Sequence, residues 1–454
     1  MRDLHQITAQ LHQFEARYPG ARRIVENLGW LFADNVLRLI SVMIVNAWVV
    51  RYLGPEQYGT LSFAVAFVAL FTPLALLGLP NLVMRDLVEK PDEENVTLGS
   101  AFVLMLGGAV IGAALASVGV MLLRPDQPQT QRLVWVIACG LIFQAFTVIE
   151  QWFNAQVRAR YVVYARNAAL LITSAVRVVA ILAGASLLAF AAITVIESGL
   201  FALGLLMVFR RAGGTLPAWR AQLARAKRLL ADGWPLLIEG LAIMVYMRID
   251  QTMLGQMIPG EEGTREVGLY ASAVKLSEIW LFVPMAIRTT FFPTIVRSKS
   301  LSPAEYRQRI QRLLNLMVLL SYGVAIPTTI LAPFIIRLFY GAEFADATPM
   351  LAILIWSGVW SSMGILRSAV VQSENRQILT LQASILGAVS NVLLNLVLIP
   401  PLKGIGSAIA TNVSYGIQAY ISSLLFPALT AFGKMQTRAL IYPNPFGVIN
   451  DDRH

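Results

Sequence analysis

The sequence predicts an all-α, polytopic membrane protein of about twelve spans, organised as two related halves. Three observations predict it. The chain is 57% apolar and only 14% charged, with a mean hydropathy of +0.64; a soluble domain carries about 25% charged residues to cover its water-facing surface. The apolar residues fall in nearly uncharged runs of about 20, the length at which a helix rising about 1.5 Å per residue crosses a hydrocarbon core about 30 Å thick. The runs lack period-two alternation, which argues against a transmembrane β-barrel.

Taken in order, the runs lie near 28–50, 58–80, 98–123, 133–154, 164–185, 188–209, 234–257, 268–294, 313–336, 347–366, 378–399 and 404–427. Most connections are short. The longest polar one, 210–232, follows span six, and its stretch from Trp219 to Leu230 carries Arg220, Arg225, Lys227 and Arg228 in an amphipathic helical pattern. It reads as a cytoplasmic linker helix between an N-terminal half, 26–209, and a C-terminal half, 233–430. Residues 1–25 are polar and read as a cytoplasmic segment rather than a signal peptide. Within them Leu4, Ile7, Leu11 and Phe14 recur at helical spacing, the pattern of a short interfacial helix. Residues 431–454 read as a cytoplasmic tail.

Lys and Arg counts orient the spans. With the N-terminus in the cytoplasm, inner segments hold 25 basic residues and outer loops 6, the remaining five of the 36 lying inside spans. That asymmetry predicts both termini inside and an even number of spans. It also accounts for the net charge of +10 without invoking nucleic acid. Catalytic and metal chemistry find little support. The single cysteine, Cys139, sits in an apolar run, and the histidines, His5, His12 and His454, lie in the terminal segments. No Gly-rich phosphate loop with a following Lys-Ser/Thr is present. No cofactor is expected, and the chain is not expected to be an enzyme.

The halves echo each other. Leu53-Gly54 ends the first helix of one half, and Gly59 and Ala64-Val65 begin the next. In the other half Leu254-Gly255 is followed by Gly268 and Ala273-Val274. Ala192-Ile193-Thr194 pairs more loosely with Ala408-Ile409-Ala410-Thr411. Both halves begin inside and hold six spans, so the repeat is parallel, about an axis along the membrane normal.

Eleven charged residues fall inside spans: Asp34, Arg38, Glu150, Arg177, Glu197, Glu239, Arg248, Asp250, Lys275, Glu278 and Arg288. Each costs at least about 2.5 kcal/mol at a span centre, so such residues face protein or a water-filled path. Asp34 and Arg38 are four apart and share a face, as do Lys275 and Glu278, three apart; both spacings suit ion pairs. Arg248 and Asp250, two apart, point in different directions. Arg177 lacks a partner at helical spacing on its own span, and Glu197 is its candidate partner or a proton site. Pro284 in span eight and Pro327 and Pro333 in span nine mark places where helices bend or break.

Four stretches carry a resemblance. They are Arg51-Tyr-Leu-Gly-Pro-Glu-Gln-Tyr-Gly59; Arg248-Ile-Asp250-Gln-Thr-Met-Leu-Gly255 with Val267-Gly-Leu-Tyr-Ala-Ser-Ala273; Leu331-Ala-Pro-Phe-Ile-Ile-Arg-Leu-Phe-Tyr-Gly341; and Ile399-Pro-Pro-Leu-Lys-Gly404 with Thr411. Together they resemble the polysaccharide and O-antigen flippases (Wzx-like) of the multidrug, oligosaccharidyl-lipid and polysaccharide exporter superfamily. The resemblance implies two six-helix lobes around a central cavity in the bacterial inner membrane. It implies alternating-access movement of a polyprenyl-diphosphate-linked oligosaccharide, an O-antigen, capsule or exopolysaccharide unit. Arg38, Arg177, Arg248, Arg288 and Lys275 are the expected diphosphate-binding residues, and Asp34, Glu197 and Asp250 the expected ion-coupling carboxylates. The expected partners are the lipid-linked oligosaccharide and membrane lipids, with a polysaccharide polymerase and other assembly proteins as further candidates; the chain is expected to be a monomer. The alternative is a cation-coupled drug or metabolite antiporter of the same superfamily.

Overall fold

The protein is an all-helical membrane bundle, seen in a computed structural model that describes residues 21–288, 291, 302–374 and 376–444, with side chains from Met43 onward. The amphipathic pattern predicted in residues 1–20 and the side chains of Asp34 and Arg38 lie outside the described residues. In the first half the helices are α1 (Ala21–Ala69), α2 (Thr72–Leu76), α3 (Leu79–Glu89), α4 (Glu94–Leu123), α5 (Pro128–Cys139), α6 (Thr147–Ala155), α7 (Arg160–Leu182) and α8 (Leu187–Arg211). In the second they are α9 (Leu223–Met257), α10 (Gly260–Ile279), α11 (Pro303–Tyr340), α12 (Thr348–Leu354), α13 (Ser357–Ser373), α14 (Ile378–Gly416), α15 (Ser422–Leu425) and α16 (Thr430–Ile441). Helix is the form the membrane demands, because lipid offers no partner for a backbone N–H or C=O.

Twelve spans are accommodated with two corners hidden inside continuous helices. In α1, Gly54 (φ 68°) turns the chain before Pro55, so one long element holds spans one and two. In α14, Lys403 (φ 50°) does the same for spans eleven and twelve. Gly404 N–H, just past that corner, donates to Glu266 Oε2 at 3.0 Å, and Lys403 pairs with Glu262. Span ten is bent by 41° between Leu354 and Ser357. The prolines act less strongly than expected in span nine, where α11 runs unbroken through Pro327 and Pro333. The linker differs too. Trp219 and Gln222 are extended, and the basic stretch from Leu223 onward is not a separate helix but the start of α9.

For placing residues, the end of the bundle that holds residues 212–222 is the linker end, and the opposite end, with Gly54 and Gly260, is the far end. The linker is docked on the first half. Arg220 N–H donates to Asn95 O at 3.1 Å, and Gln222 N–H to Ser100 Oγ at 3.0 Å. Arg225, 7% exposed, reaches Asp86 at 3.0 Å, Glu93 at 3.3 Å and Thr97 Oγ1 at 2.9 Å. Breaking a buried pair leaves an uncompensated charge, so Arg225→Ala is expected to lower the unfolding free energy in detergent by about 3–5 kcal/mol. Denaturant titration followed by tryptophan fluorescence checks it; an unchanged midpoint means that the pair is dispensable.

The two halves meet most intimately at the far end, where α1 packs on α10. Here Gly59 and Gly268, the two glycines that the sequence repeat aligns, face each other. A Cβ on Gly59 would lie 1.8 Å from Thr264 O and 3.0 Å from Gly268 N. A Cβ on Gly268 would lie 2.0 Å from Pro55 O and 3.0 Å from Gly59 N. Each glycine thus meets the carbonyl four residues before the other, a reciprocal pattern that puts the pseudo-twofold between them. Polar contacts fasten the same end. Arg265 bridges Glu56 (3.2 Å) and Asp346 (3.0 Å), Arg51 donates to the carbonyls of Arg337 and Leu338, and Arg124 donates to Gly255 O with its guanidinium 3.7 Å above the Phe63 ring.

Candidate functional site

A cavity of about 840 Å³ lies between the halves, lined by α1, α7, α8, α9 and α10 and by Tyr340 of α11. Its polar lining includes Asn46 and Tyr58 from α1, Arg166 and Arg177 from α7, Glu197 from α8, Arg248 from α9, and Lys275 and Glu278 from α10. The far-end contacts roof it. Arg166 and Arg177 are eleven residues apart, close to three helical turns, so α7 presents both on one face about 16 Å apart. Arg166 stands nearer the linker end, where α7 begins, and Arg177 deeper.

The basic residues are sorted against carboxylates. Arg177 Nη2 pairs with Glu197 Oε2 at 2.6 Å, and Thr173 Oγ1 donates to the same oxygen at 3.4 Å. Arg248 Nη2 pairs with Glu278 Oε1 at 3.2 Å. Arg166 pairs with Glu150 at 3.0 Å and stacks its guanidinium 4.7 Å from the Phe201 ring. Each arginine spends one terminal nitrogen on its carboxylate. A guanidinium has five N–H donors in a rigid fork, so donors remain for a second anion. Among the described residues Lys275 forms no ion pair, and it is exposed to the cavity. Glu278, its expected partner three residues on, turns to Arg248 instead.

Asp250 lies elsewhere. It is 1% exposed and does not line the cavity. Its Oδ2 accepts from Tyr270 Oη (2.7 Å) and Thr411 Oγ1 (2.6 Å), and its Oδ1 from Asn395 Nδ2. Asn395 also donates to Asn391 Oδ1 (3.0 Å) and accepts from Ser407 Oγ (3.1 Å), while Asn391 donates to Ser414 Oγ (3.2 Å). This network ties α9, α10 and α14 together and, among the described residues, places no cation within ion-pair distance of the carboxyl.

Of the residues singled out from sequence, the cavity brings together Arg177, Arg248, Lys275, Glu197 and Glu278. Arg288 is not in its lining; it donates to Gln372 Oε1 at 3.3 Å, on α13. Glu239 is half-buried on α9, also outside the lining. Arg166 was missed because it stood at the edge of span five and was counted with the loop. Asn391 and Asn395 carried a legible signal, two amides four residues apart in an apolar run, that a search restricted to charges passes over.

Residues 24–299 match the family described as Polysaccharide biosynthesis protein, and residues 235–397 match the MatE family. "Probable flippase AglR" of Haloferax volcanii is 26% identical over 201 residues, covering 43% of this chain and 40% of that protein. "Probable low-salt glycan biosynthesis flippase Agl15" of the same organism is 25% identical over 168 residues, covering 35% of each. The chain thus spans less than half the length of these curated relatives in alignment. Among solved structures, "Lipid II flippase MurJ, inward closed conformation" superposes with a TM-score of 0.72 at 12% identity, covering 92% of this chain and 94% of that one. That likeness is one of fold.

Proposed function

We infer, for a chain that belongs to the Polysaccharide biosynthesis protein family, that it translocates a polyprenyl-diphosphate-linked oligosaccharide across the bacterial inner membrane by alternating access. The glycan is an O-antigen, capsule or exopolysaccharide unit, and both termini are cytoplasmic, so the linker end faces the cytoplasm. One observation carries the reading. Four cations line a cavity whose neighbouring carboxylates number three, and each arginine keeps donors in reserve. A bare diphosphate cannot cross hydrocarbon, where an isolated charge costs tens of kcal/mol by Born solvation. In this cavity it meets Arg166 first, then Arg177, Arg248 and Lys275. Arginine forks grip phosphate oxygens bidentately, and Lys275 adds a point charge. The glycan follows into the water-filled space while the polyprenyl chain stays in lipid. Nothing in this cycle calls for a covalent step, so the chain acts as a transporter rather than an enzyme.

The test is transfer in proteoliposomes of a fluorescent polyprenyl-diphosphate oligosaccharide, scored by a membrane-impermeant quencher. Arg177→Ala and Arg248→Ala are each expected to slow transfer about tenfold, the worth of one charge-assisted hydrogen bond. Lysine at either position should restore part of the rate. Vesicles that move an organic cation but not the lipid-linked glycan would establish the antiporter alternative.

A further inference from the structure

A second cavity, of about 530 Å³, opens at the linker end of the C-terminal half, between the first turns of α11 and the short helix α16. Its lining includes Arg307 from α11 and Lys434 and Arg438 from α16. All three side chains are exposed, and among the described residues none forms an ion pair. The carboxylate in the lining, Glu305, is already engaged by Arg309 one turn on.

The two helices that carry the three cations are fastened to each other. Lys434 and Arg438 are four residues apart and share one face of α16; Phe432, Gly433, Gln436 and Ala439 bury the other. Gln311, 2% exposed at the edge of the cavity, donates to Met435 O at 3.0 Å and to Asn315 Oδ1 at 2.8 Å, which fastens α16 to α11. Like charges gathered around one cavity repel, and an anion seated among them recovers that energy. Exposed apolar side chains close α16, Ile441 (79%) and Tyr442 (65%), three and four residues on from Arg438. A short helix at the end of a span, with one buried face, basic residues and exposed apolar residues, is placed at the lipid interface.

We propose that this cavity is a lipid site, in which Arg307, Lys434 and Arg438 hold the phosphate of an anionic phospholipid headgroup while its acyl chains lie along the exposed apolar residues. The occupant is a component of the bilayer itself, so the site is independent of the transported glycan and would brace α16 against α11 during movement of the bundle. A basic pocket between spans is the recognition element for such headgroups.

The experiment is native mass spectrometry of the full chain released from nanodiscs of phosphatidylcholine doped with phosphatidylglycerol. Phosphatidylglycerol is expected to remain bound in preference to phosphatidylcholine. Arg307→Gln, Lys434→Gln and Arg438→Gln should each lower the retained phosphatidylglycerol about fivefold, the effect of one basic side chain at an anionic membrane surface. Arg132→Gln, an exposed arginine at the far end, should leave it unchanged. Millimolar inorganic phosphate should not displace the lipid, since it lacks the acyl contacts. Equal retention of the two lipids, undiminished retention by the triple variant, or complete displacement by phosphate would each overturn the site. None of these readouts depends on flippase activity, so the lipid site and the transport reading fail separately.

Discussion

Gly268→Val is expected to hold the far end of the bundle apart and to reduce transport about 5- to 150-fold. The reason is the reciprocal glycine contact. A Cβ at Gly268 would stand 2.0 Å from Pro55 O, against a normal carbon–oxygen approach of about 3.3 Å. The obstacle is backbone on both sides, so no rotamer change relieves it; α1 and α10 must separate by more than about 1 Å. Overpacking of this kind costs about 1–3 kcal/mol. Charged against the closed state alone, that energy shifts its population by about 5- to 150-fold. Gly59→Ala should act alike, since its Cβ would meet Thr264 O at 1.8 Å. Gly107, with nothing within 4 Å of an added Cβ, is the control, and Gly107→Val should be silent. Separation is measured by cross-linking Glu56→Cys with Arg265→Cys, whose parent side chains touch at 3.2 Å, in a Cys139→Ser background. The wild-type backbone should cross-link and the Gly268→Val form should not. Full cross-linking together with normal transport would show that the contact plays no part in the cycle.

The second large effect is expected at Asp250, and it divides by substitution. Asp250→Leu removes the acceptor from Tyr270, Thr411 and Asn395 in a site closed to water. Stranding buried donors costs about 1–3 kcal/mol apiece, so this variant should unfold early or fail to accumulate. Asp250→Asn keeps the shape, and the hydroxyls of Tyr270 and Thr411 can reverse to accept from the new amide. It should fold, with a denaturation midpoint close to wild type. What it loses is a group able to gain and lose a proton. Asp34, Glu197 and Asp250 are the carboxylates expected to couple transport to an ion gradient; where Asp250 is the one, Asp250→Asn should abolish stimulation of transfer by an imposed pH gradient while leaving gradient-free exchange intact. Gradient stimulation that survives in Asp250→Asn would assign coupling elsewhere. Glu197 is the less suited carboxylate, because its oxygen already neutralises Arg177 at 2.6 Å.

The fold was legible because hydropathy and length are one-dimensional. A run of about 20 apolar residues becomes a span whatever surrounds it. What sequence did not reveal is pairing across helices. Lys275 and Glu278 have the spacing of an ion pair, yet Glu278 finds Arg248 on α9, because the distance between facing helices is invisible to helical periodicity. Arg177 and Glu197 were legible as a pair only through the absence of closer partners. Arg367 had counted as a loop residue, but it is fully buried in α13, where it donates to Leu379 O at 2.9 Å and Gln418 O at 3.2 Å. The corner at Lys403 was illegible for another reason: a positive φ at lysine contradicts its intrinsic preference and is sustained by contacts with Glu262 and neighbouring helices. The two glycines of the repeat were visible as a motif. Their meaning, a meeting of the two halves rather than a shared helix start, needed the third dimension.

The paired arginines also have an electrical consequence. With Glu150, Glu197 and Glu278 each matched to an arginine, the described lining of the empty cavity carries one uncompensated positive charge, that of Lys275. A full elementary charge crossing the membrane works against about 2.3 kcal/mol per 100 mV, and four unmatched cations would multiply that load fourfold. On the proposed reading, two phosphate charges against one unmatched lysine leave the loaded cavity about one charge negative, so the empty and loaded states feel the field about equally and in opposite directions. With the linker end in the cytoplasm, as proposed, a cytoplasm-negative potential favours both the outward movement of the loaded cavity and the return of the empty one.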